Sequence, residues 1–107
     1  MAAQGFKSEH FSDENGNPVG GTTYGVGFTI GWQRGPLIVD GVCKSPNGAF
    51  VEDVLAAVID RIEFYQETKF KSAYNGSALV ALRTAMSFLQ NRTADRANRG
   101  VEGTHEV

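Results

Sequence analysis

The chain has 107 residues, of which 41% are hydrophobic and 21% are charged, and its net charge is −2. This length allows one small domain, and the slightly acidic balance argues against general binding to DNA or RNA, which requires a basic surface. No stretch approaches the roughly 20 apolar residues of a membrane-spanning helix, and the first residues lack the apolar core of a signal peptide. With the single cysteine Cys43 no intrachain disulfide can form, so we expect a cytosolic chain in which Cys43 is a small packing residue.

The first third of the chain predicts strands. Residues 1–21 are polar and rich in glycine, which predicts a flexible N-terminal arm. Residues 22–33 then alternate between large apolar and small or polar side chains, and this period of two predicts one half-buried strand. A short second strand is expected over residues 37–39, before Asp40 and Gly41. The large apolar positions of the first strand are Tyr24, Val26, Phe28, Ile30 and Trp32.

The second half predicts two helices. The first is expected to open at residues 45–48, with Asn47 as its cap, and to continue to about Lys71. Residues 75–77 are an Asn-Gly-Ser turn signal, and a second helix follows that ends at Gly100. The apolar positions at helical spacing are Val51, Val54, Leu55, Val58, Ile59 and Ile62 in the first helix and Leu79, Leu82, Ala85, Met86 and Leu89 in the second.

The predicted fold class is α+β, with an N-terminal β-strand or ribbon followed by an antiparallel two-helix hairpin. We expect residues 22–107 to form a single domain after the arm of residues 1–21. Two helices and a ribbon make a thin core, and chains of this size usually need additional burial. Since the sequence offers no disulfide and no metal-ligand spacing, the composition predicts a homo-oligomer.

The sequence gives little support to catalysis. His10 lies in the predicted arm and His105 in the tail, so a nucleophile–base pair with Cys43 would form only by chance. The acidic residues of the first helix are better explained as a solvated face than as acid–base groups. No cofactor is predicted.

Three arginines near the end of the second helix, Arg92, Arg96 and Arg99, have the spacing i, i+4, i+7. This spacing predicts a row on one helical face, and arginine forks bind phosphate groups bidentately. The alternative is a solvated face, in which Asp95 pairs with Arg99. Backbone N–H groups at residues 47–49 offer a second candidate anion site at the start of the first helix.

The aromatic residues Phe64, Tyr65 and Phe70 are expected near the turn of the hairpin, where they either pack in the core or stack on a nucleotide base. Asn75 lies beside them but is 17 positions from Arg92, which is about 26 Å along one helix. One small ligand therefore reaches both groups only if two chains pair antiparallel. In such a pair Tyr65, Phe70 and Asn75 of one subunit approach the arginine row of the other.

Several segments, taken together and in order over about residues 22–107, resemble the first-described type of Thoeris anti-defence proteins from phages. The segments are GWQRGPL at 31–37, PNGAFVEDV at 46–54, DRIEFYQ at 60–66, KF at 69–70, RTADR at 92–96 and VEGTH at 101–105. After residue 37 the family often has a glycine and a basic residue, whereas this chain has Ile38, Val39 and Asp40.

The resemblance implies a fold of strands plus a helical hairpin, assembled as a dimer or as a hexamer formed by three dimers. It also implies a sponge that binds glycocyclic ADP-ribose signals of TIR-domain defence enzymes without cleaving them. Some family members bind cyclic di- and trinucleotides of CBASS defence at separate sites. The family's pocket residues match Tyr65, Asn75, Arg92 and Arg96 of this sequence, with Phe70 and Arg99 as neighbours on the same surfaces.

The function predicted from sequence is therefore non-enzymatic sequestration of nucleotide immune signals in the cytoplasm of an infected bacterium, with no DNA, RNA or membrane partner. One alternative is a small structural or interaction oligomer with interfacial arginines and no nucleotide ligand. A weak nucleotide hydrolase is a further alternative.

Overall fold

The computed structural model describes residues 3–107, which form five strands and two helices. The chain divides into two compact units, residues 3–50 with Val101–Val107 and residues Val51–Gly100. The elements in chain order are β1 (Lys7–Ser12), β2 (Pro18–Gly25), β3 (Phe28–Trp32), β4 (Ile38–Val39), β5 (Val42–Cys43), α1 (Val51–Gln66) and α2 (Ala73–Asn98).

The first unit contains a three-stranded antiparallel sheet in the order β1-β2-β3. Strand β1 and the start of β2 lie in residues 1–21, where the sequence predicted a flexible arm, so the arm prediction is wrong for Lys7–Ser12 and residues 18–21. The Asp13 side chain organises the connecting turn, because Oδ1 accepts hydrogen bonds from the backbone N–H groups of Asn15 and Asn17, both at 2.9 Å. The polar residues of this turn are the reason that the sequence predicted a flexible arm where β1 pairs with β2.

The single strand predicted over residues 22–33 is two strands. Val26 and Gly27 form a turn, Gly27 has φ +87°, and Gly25 pairs with Phe28. In the sequence the large apolar residues stay at even positions on both sides of this turn, so the alternation gives no sign of the turn. Cross-strand partners share a face of the sheet, and Tyr24 pairs with Thr29, so Tyr24 lies on the face opposite to Phe28, Ile30 and Trp32.

Strands β4 and β5 form a second, two-stranded hairpin, in which Ile38 pairs with Cys43. The predicted short strand at residues 37–39 is confirmed over Ile38–Val39. Asp40 and Gly41 make the turn with φ of +52° and +77°, the backbone that Asp-Gly favours in hairpins. Cys43 is exposed, so the prediction that it packs in a core is wrong.

Residues 47–49 run beside β3 and do not start a helix. The Ala49 N–H donates to the Gly31 carbonyl at 2.7 Å, and the Asn47 N–H donates to Gln33 Oε1 at 2.9 Å. A Cβ at Gly48 would lie 2.5 Å from the Trp32 carbonyl carbon. Asn47 is thus a connector to β3 and not the cap of α1. The predicted anion site at residues 47–49 is also wrong, because the N–H groups of Asn47 and Ala49 are already used.

The second unit is a hairpin of α1 and α2, which pack against each other. Helix α1 ends at Gln66 instead of about Lys71, and α2 begins at Ala73. The Ser72 side chain caps α2 by accepting from the Asn75 N–H at 3.0 Å. The turn predicted at residues 75–77 therefore forms the first turn of α2, since a serine cap outweighs the Asn-Gly turn signal.

The end of α2 agrees with the prediction. Gly100 follows the C-cap residue Arg99 and has φ +73°, a conformation that favours glycine. Helix α2 has 26 residues and contains both Asn75 and Arg92. The α+β class with N-terminal strands followed by two helices is confirmed. The single domain over residues 22–107 stays a prediction.

The core is small. Leu79 is the one hydrophobic side chain that is buried among the residues described, with 6% of its surface exposed. Leu82, Met86 and Leu89 of the predicted stripe are half-buried, whereas Ala85 is exposed. Little apolar surface is thus removed from water within one chain, which is the situation in which small domains need a partner.

Candidate functional site

All six residues predicted to bind a ligand lie in the helical hairpin, in two groups. Tyr65, Phe70 and Asn75 lie at the α1–α2 connection, and Arg92, Arg96 and Arg99 lie at the end of α2. We refer to them as the turn group and the arginine row.

The turn group is held in place by Gln66. Its Oε1 accepts from the Ser72 N–H at 3.0 Å and from Asn75 Nδ2 at 3.1 Å, and its Nε2 donates to the Ser72 carbonyl at 3.0 Å. Asn75 Nδ2 also approaches the Phe70 carbonyl at 3.4 Å. The structure thus brings Asn75 to the backbone of Phe70, and both donor hydrogens of the amide point into the turn. The Asn75 side-chain oxygen has no hydrogen-bond partner within residues 3–107.

Tyr65 belongs to a stack that the sequence did not predict. The Arg61 guanidinium carbon lies 5.0 Å from the ring centroids of both Phe64 and Tyr65. Arg61 Nε also donates a hydrogen bond to the Tyr65 hydroxyl at 3.2 Å. We call these three residues the Arg61 stack. The spacing i, i+3, i+4 permits such contacts, but it does not specify the rotamers that make them.

The Phe64 side of this stack is acidic. A surface depression of about 330 Å³ is lined by Asp60, Arg61, Glu63, Phe64 and Glu67. Glu63 is paired with Arg83, at 2.5 Å. Three carboxylates against one lining arginine disfavour a phosphate here, so this end of the hairpin suits the uncharged part of a ligand better than its anionic part.

The arginine row lies along the last turns of α2. Arg92 is exposed, Arg96 is half-buried and Arg99 is the C-cap residue. Arg99 Nε pairs with Asp95 Oδ2 at 3.1 Å, the contact that the solvated-face alternative predicted. Within residues 3–107 the Arg92 side chain has neither a hydrogen bond nor an ion pair, so its five donors are available to a ligand.

The two groups do not form one pocket within a chain. Asn75 and Arg92 are both on α2, and 17 residues of helix separate them by about 26 Å. A ligand of nucleotide size does not span that distance. A site that uses both groups needs a second chain.

Each helix of the hairpin carries exposed apolar side chains at seven-residue intervals. On α2, Tyr74, Ala81 and Phe88 recur every seven residues, and Tyr74 and Phe88 are 89% and 70% exposed. Arg92 follows Phe88 by one turn on the same face. On α1, Val51, Val58 and Tyr65 repeat the same interval and are also exposed. One apolar position in every seven residues returns to nearly the same helical face, so each helix presents an exposed apolar stripe.

The candidate catalytic groups all lie in the first unit. His10 is exposed on β1, Cys43 is exposed on β5, and His105 is in the tail. Nε2 of His105 is buried, and no hydrogen-bond partner for it exists in the described residues. Within residues 3–107 no three His, Cys, Asp or Glu side chains are placed to hold a metal. No helix in the same range is long and apolar enough to cross a membrane.

Comparison with known proteins decides the family. The chain is 41% identical over 78 residues to Thoeris anti-defense 1 of Bacillus phage SBSphiJ7. The chain belongs to the phage Thoeris anti-defence proteins. The match covers 73% of the chain and 52% of the relative, so the chain spans about half the length of the relative that it matches. No family model matches the chain.

Proposed function

We propose that this Thoeris anti-defence protein is a non-enzymatic sponge that binds and sequesters a glycocyclic ADP-ribose signal. The observation that carries the proposal is the relative named Thoeris anti-defense 1. Such a protein opposes Thoeris defence inside the infected bacterium. Sequestration requires tight binding and slow release, and it requires no nucleophile.

The chemistry of the helical hairpin supports this ligand class. An ADP-ribose carries an adenine, two riboses and a pyrophosphate. Tyr65 offers an exposed aromatic ring for the base, and Asn75 offers an acceptor oxygen. Arg92 and Arg96 are one turn apart on α2 and match a pyrophosphate, which two guanidinium forks can bind together.

A pair of antiparallel chains would join these groups. The thin core and the exposed apolar repeats on α1 and α2 support burial against a second copy. In that arrangement the turn group of one subunit faces the arginine row of the other, so each dimer has two equivalent pockets. A hexamer would then be three such dimers.

Calorimetric titration of the purified protein with a glycocyclic ADP-ribose isomer tests the proposal. We expect tight binding, followed by recovery of the unchanged ligand by chromatography after heat denaturation. Absence of binding would contradict the sponge, and a cleaved ligand would identify a hydrolase instead.

The alternative, an interaction oligomer with interfacial arginines, is favoured by one observation. Arg99 is already paired with Asp95, as a structural role would require. Ligand-dependent thermal stability separates the two functions, because only a binding protein gains melting temperature from cyclic ADP-ribose isomers.

A second ligand class, the cyclic di- and trinucleotides of CBASS defence, would require a separate site. The hairpin of β4 and β5 carries Ile38, Val39 and Asp40, where the family often has a glycine and a basic residue. An aspartate disfavours phosphate at this hairpin. We propose that the protein binds glycocyclic ADP-ribose more tightly than any cyclic oligonucleotide. Calorimetric titrations with cyclic di- and trinucleotides, run beside the one with glycocyclic ADP-ribose, measure the difference.

A further inference from the structure

We infer that Arg61 is a positioning residue of the proposed site: it orients the Tyr65 ring and leaves one face of that ring for the base. This inference rests on the proposed function. Arg61 was not among the residues that the sequence predicted to bind the ligand, and it is identified by its contacts with Phe64 and Tyr65.

Arg61 contacts both the ring and the hydroxyl group of Tyr65. The guanidinium lies over the Tyr65 ring at 5.0 Å, and Nε donates to the hydroxyl of the same residue at 3.2 Å. Two contacts from one planar group restrict both torsions of an exposed tyrosine. A ring fixed before binding loses less conformational entropy when a base stacks on it.

Arg61 is itself held from the other side. Phe64 lies under the guanidinium at 5.0 Å, and the rings of Phe64 and Tyr65 are 6.1 Å apart and tilted by 53°. In the described part of the chain Arg61 forms no salt bridge, although Asp60, Glu63 and Glu67 line the same depression. The arginine is therefore held by aromatic faces and by the tyrosine hydroxyl, and all three of its contacts serve the orientation of these rings.

The arrangement also determines which ring face a base can use. A guanidinium over one face of Tyr65 occupies that face, so a base stacks on the other. A planar fork performs this role, whereas an ammonium group contacts a ring as a point charge. We therefore expect Arg61→Lys to lose part of the affinity for the ligand even though the variant keeps the positive charge.

The test is titration of Arg61→Met with a glycocyclic ADP-ribose isomer, beside the wild type and Lys71→Met. Lys71 is an exposed cation of the same turn, so its variant matches the change in charge. We expect about five- to tenfold weaker binding for Arg61→Met, a smaller loss for Arg61→Lys and no change for Lys71→Met. Thermal melts of each variant report whether the hairpin still folds.

A second readout separates orientation of Tyr65 from contact with phosphate. If Arg61 acts through Tyr65, the losses of Arg61→Met and Tyr65→Phe are not additive, because both changes remove the same hydrogen bond. The dependence of Kd on ionic strength should stay that of the wild type in Arg61→Met and should weaken in Arg92→Ala.

The outcomes are distinct. A wild type that binds and an Arg61→Met variant of equal affinity would overturn the role of Arg61 alone. Additive losses, or a weakened ionic-strength dependence in Arg61→Met, would overturn positioning in favour of a direct ligand contact. A wild type that binds no isomer would overturn the proposed function itself.

Discussion

At the scale of single residues, the same side-chain type performs different tasks along the helical hairpin. Arg61 stacks on two rings, Arg83 pairs with Glu63, and Arg92 is exposed without an internal partner in the described chain. The arginine row could be predicted because it depends only on helical spacing. The Arg61 stack could not, because it depends on rotamers that the spacing permits without requiring.

Arg92→Ala is expected to abolish binding of glycocyclic ADP-ribose while leaving the oligomer intact. The exposed guanidinium contributes to the proposed phosphate contact and to no ion pair within residues 3–107. Calorimetry measures the affinity, and size-exclusion chromatography with light scattering measures the assembly. Arg83→Ala is the control for the loss of charge from the same helix, and thermal melts accompany it because it also breaks the ion pair with Glu63.

Asn75→Ala is also expected to abolish binding of glycocyclic ADP-ribose, because it removes the proposed acceptor oxygen from the turn group. The oligomer is expected to stay intact. The hydrogen bond from the Asn75 amide to Gln66 contributes to the turn as well. Chromatography and melts therefore accompany the titration. Loss of assembly in both Arg92→Ala and Asn75→Ala would make these residues structural.

Asp13 predicts a pH dependence in the β1–β2 turn. The backbone hydrogen bond from Asn17 lowers the pKa of this carboxyl below 3.8, with smaller lowering by the Asn17 side chain, the Asn15 N–H and His105. A pKa lowered by folding means that the contribution is present above the unfolded pKa and is lost as the pH falls through the folded value. We expect the Asn15 and Asn17 amide signals to shift together below about pH 4 in an NMR titration. The Asp13→Asn variant should lack this transition.

At the scale of elements, the start of α2 is set by side-chain hydrogen bonds that override the local turn signal in the sequence. The sequence located both helices and the end at Gly100, because apolar spacing and a C-terminal glycine act locally. It placed the turn at residues 75–77, whereas Ser72 and Gln66 begin α2 earlier. It also merged β2 with β3, because the large apolar residues stay at even positions on both sides of the turn although the two strands present them on opposite faces. Contacts between distant segments, such as residues 47–49 beside β3, leave no periodic signal.

Gly48→Ala is expected to destabilise the first unit by about 1–3 kcal/mol. A Cβ at this position would lie 2.5 Å from the Trp32 backbone, which cannot move without disturbing β3. Gly31→Ala is the matched control, because no atom lies within 4 Å of a Cβ built there. Urea unfolding followed by Trp32 fluorescence measures both variants, and equal stabilities would contradict the close approach of residues 47–49 to β3.

At the scale of the whole molecule, the small amount of buried apolar surface limits the stability of a single copy. One buried hydrophobic side chain in residues 3–107 is little for a chain of this length, and large aromatic side chains such as Phe70, Tyr74 and Phe88 are exposed. The predicted elements, two helices and a ribbon, implied a thin core in a single copy, and the described residues have a thin core. The oligomer inferred from this stays a prediction.

Phe88→Glu tests it. Phe88 is 70% exposed in one chain, so in a monomer this substitution should change the free energy of unfolding by at most about 0.5 kcal/mol. If a second copy covers the residue, the charge is buried at an interface and assembly is lost. Light scattering measures the mass, and Lys44→Glu, an exposed position in the other unit, serves as the control.

The early start of α2 also affects the chemical lifetime of the protein. Asn-Gly pairs age by deamidation, in which the glycine nitrogen attacks the asparagine side-chain carbonyl. At Asn75 and Gly76 that nitrogen donates to the Ser72 carbonyl at 3.2 Å, and the asparagine amide is held by Gln66. The helix therefore resists the bent geometry that ring closure needs. If the protein holds one ligand in each pocket, as proposed, this protection preserves its binding capacity, because a pocket with a deamidated Asn75 would lose the proposed contact.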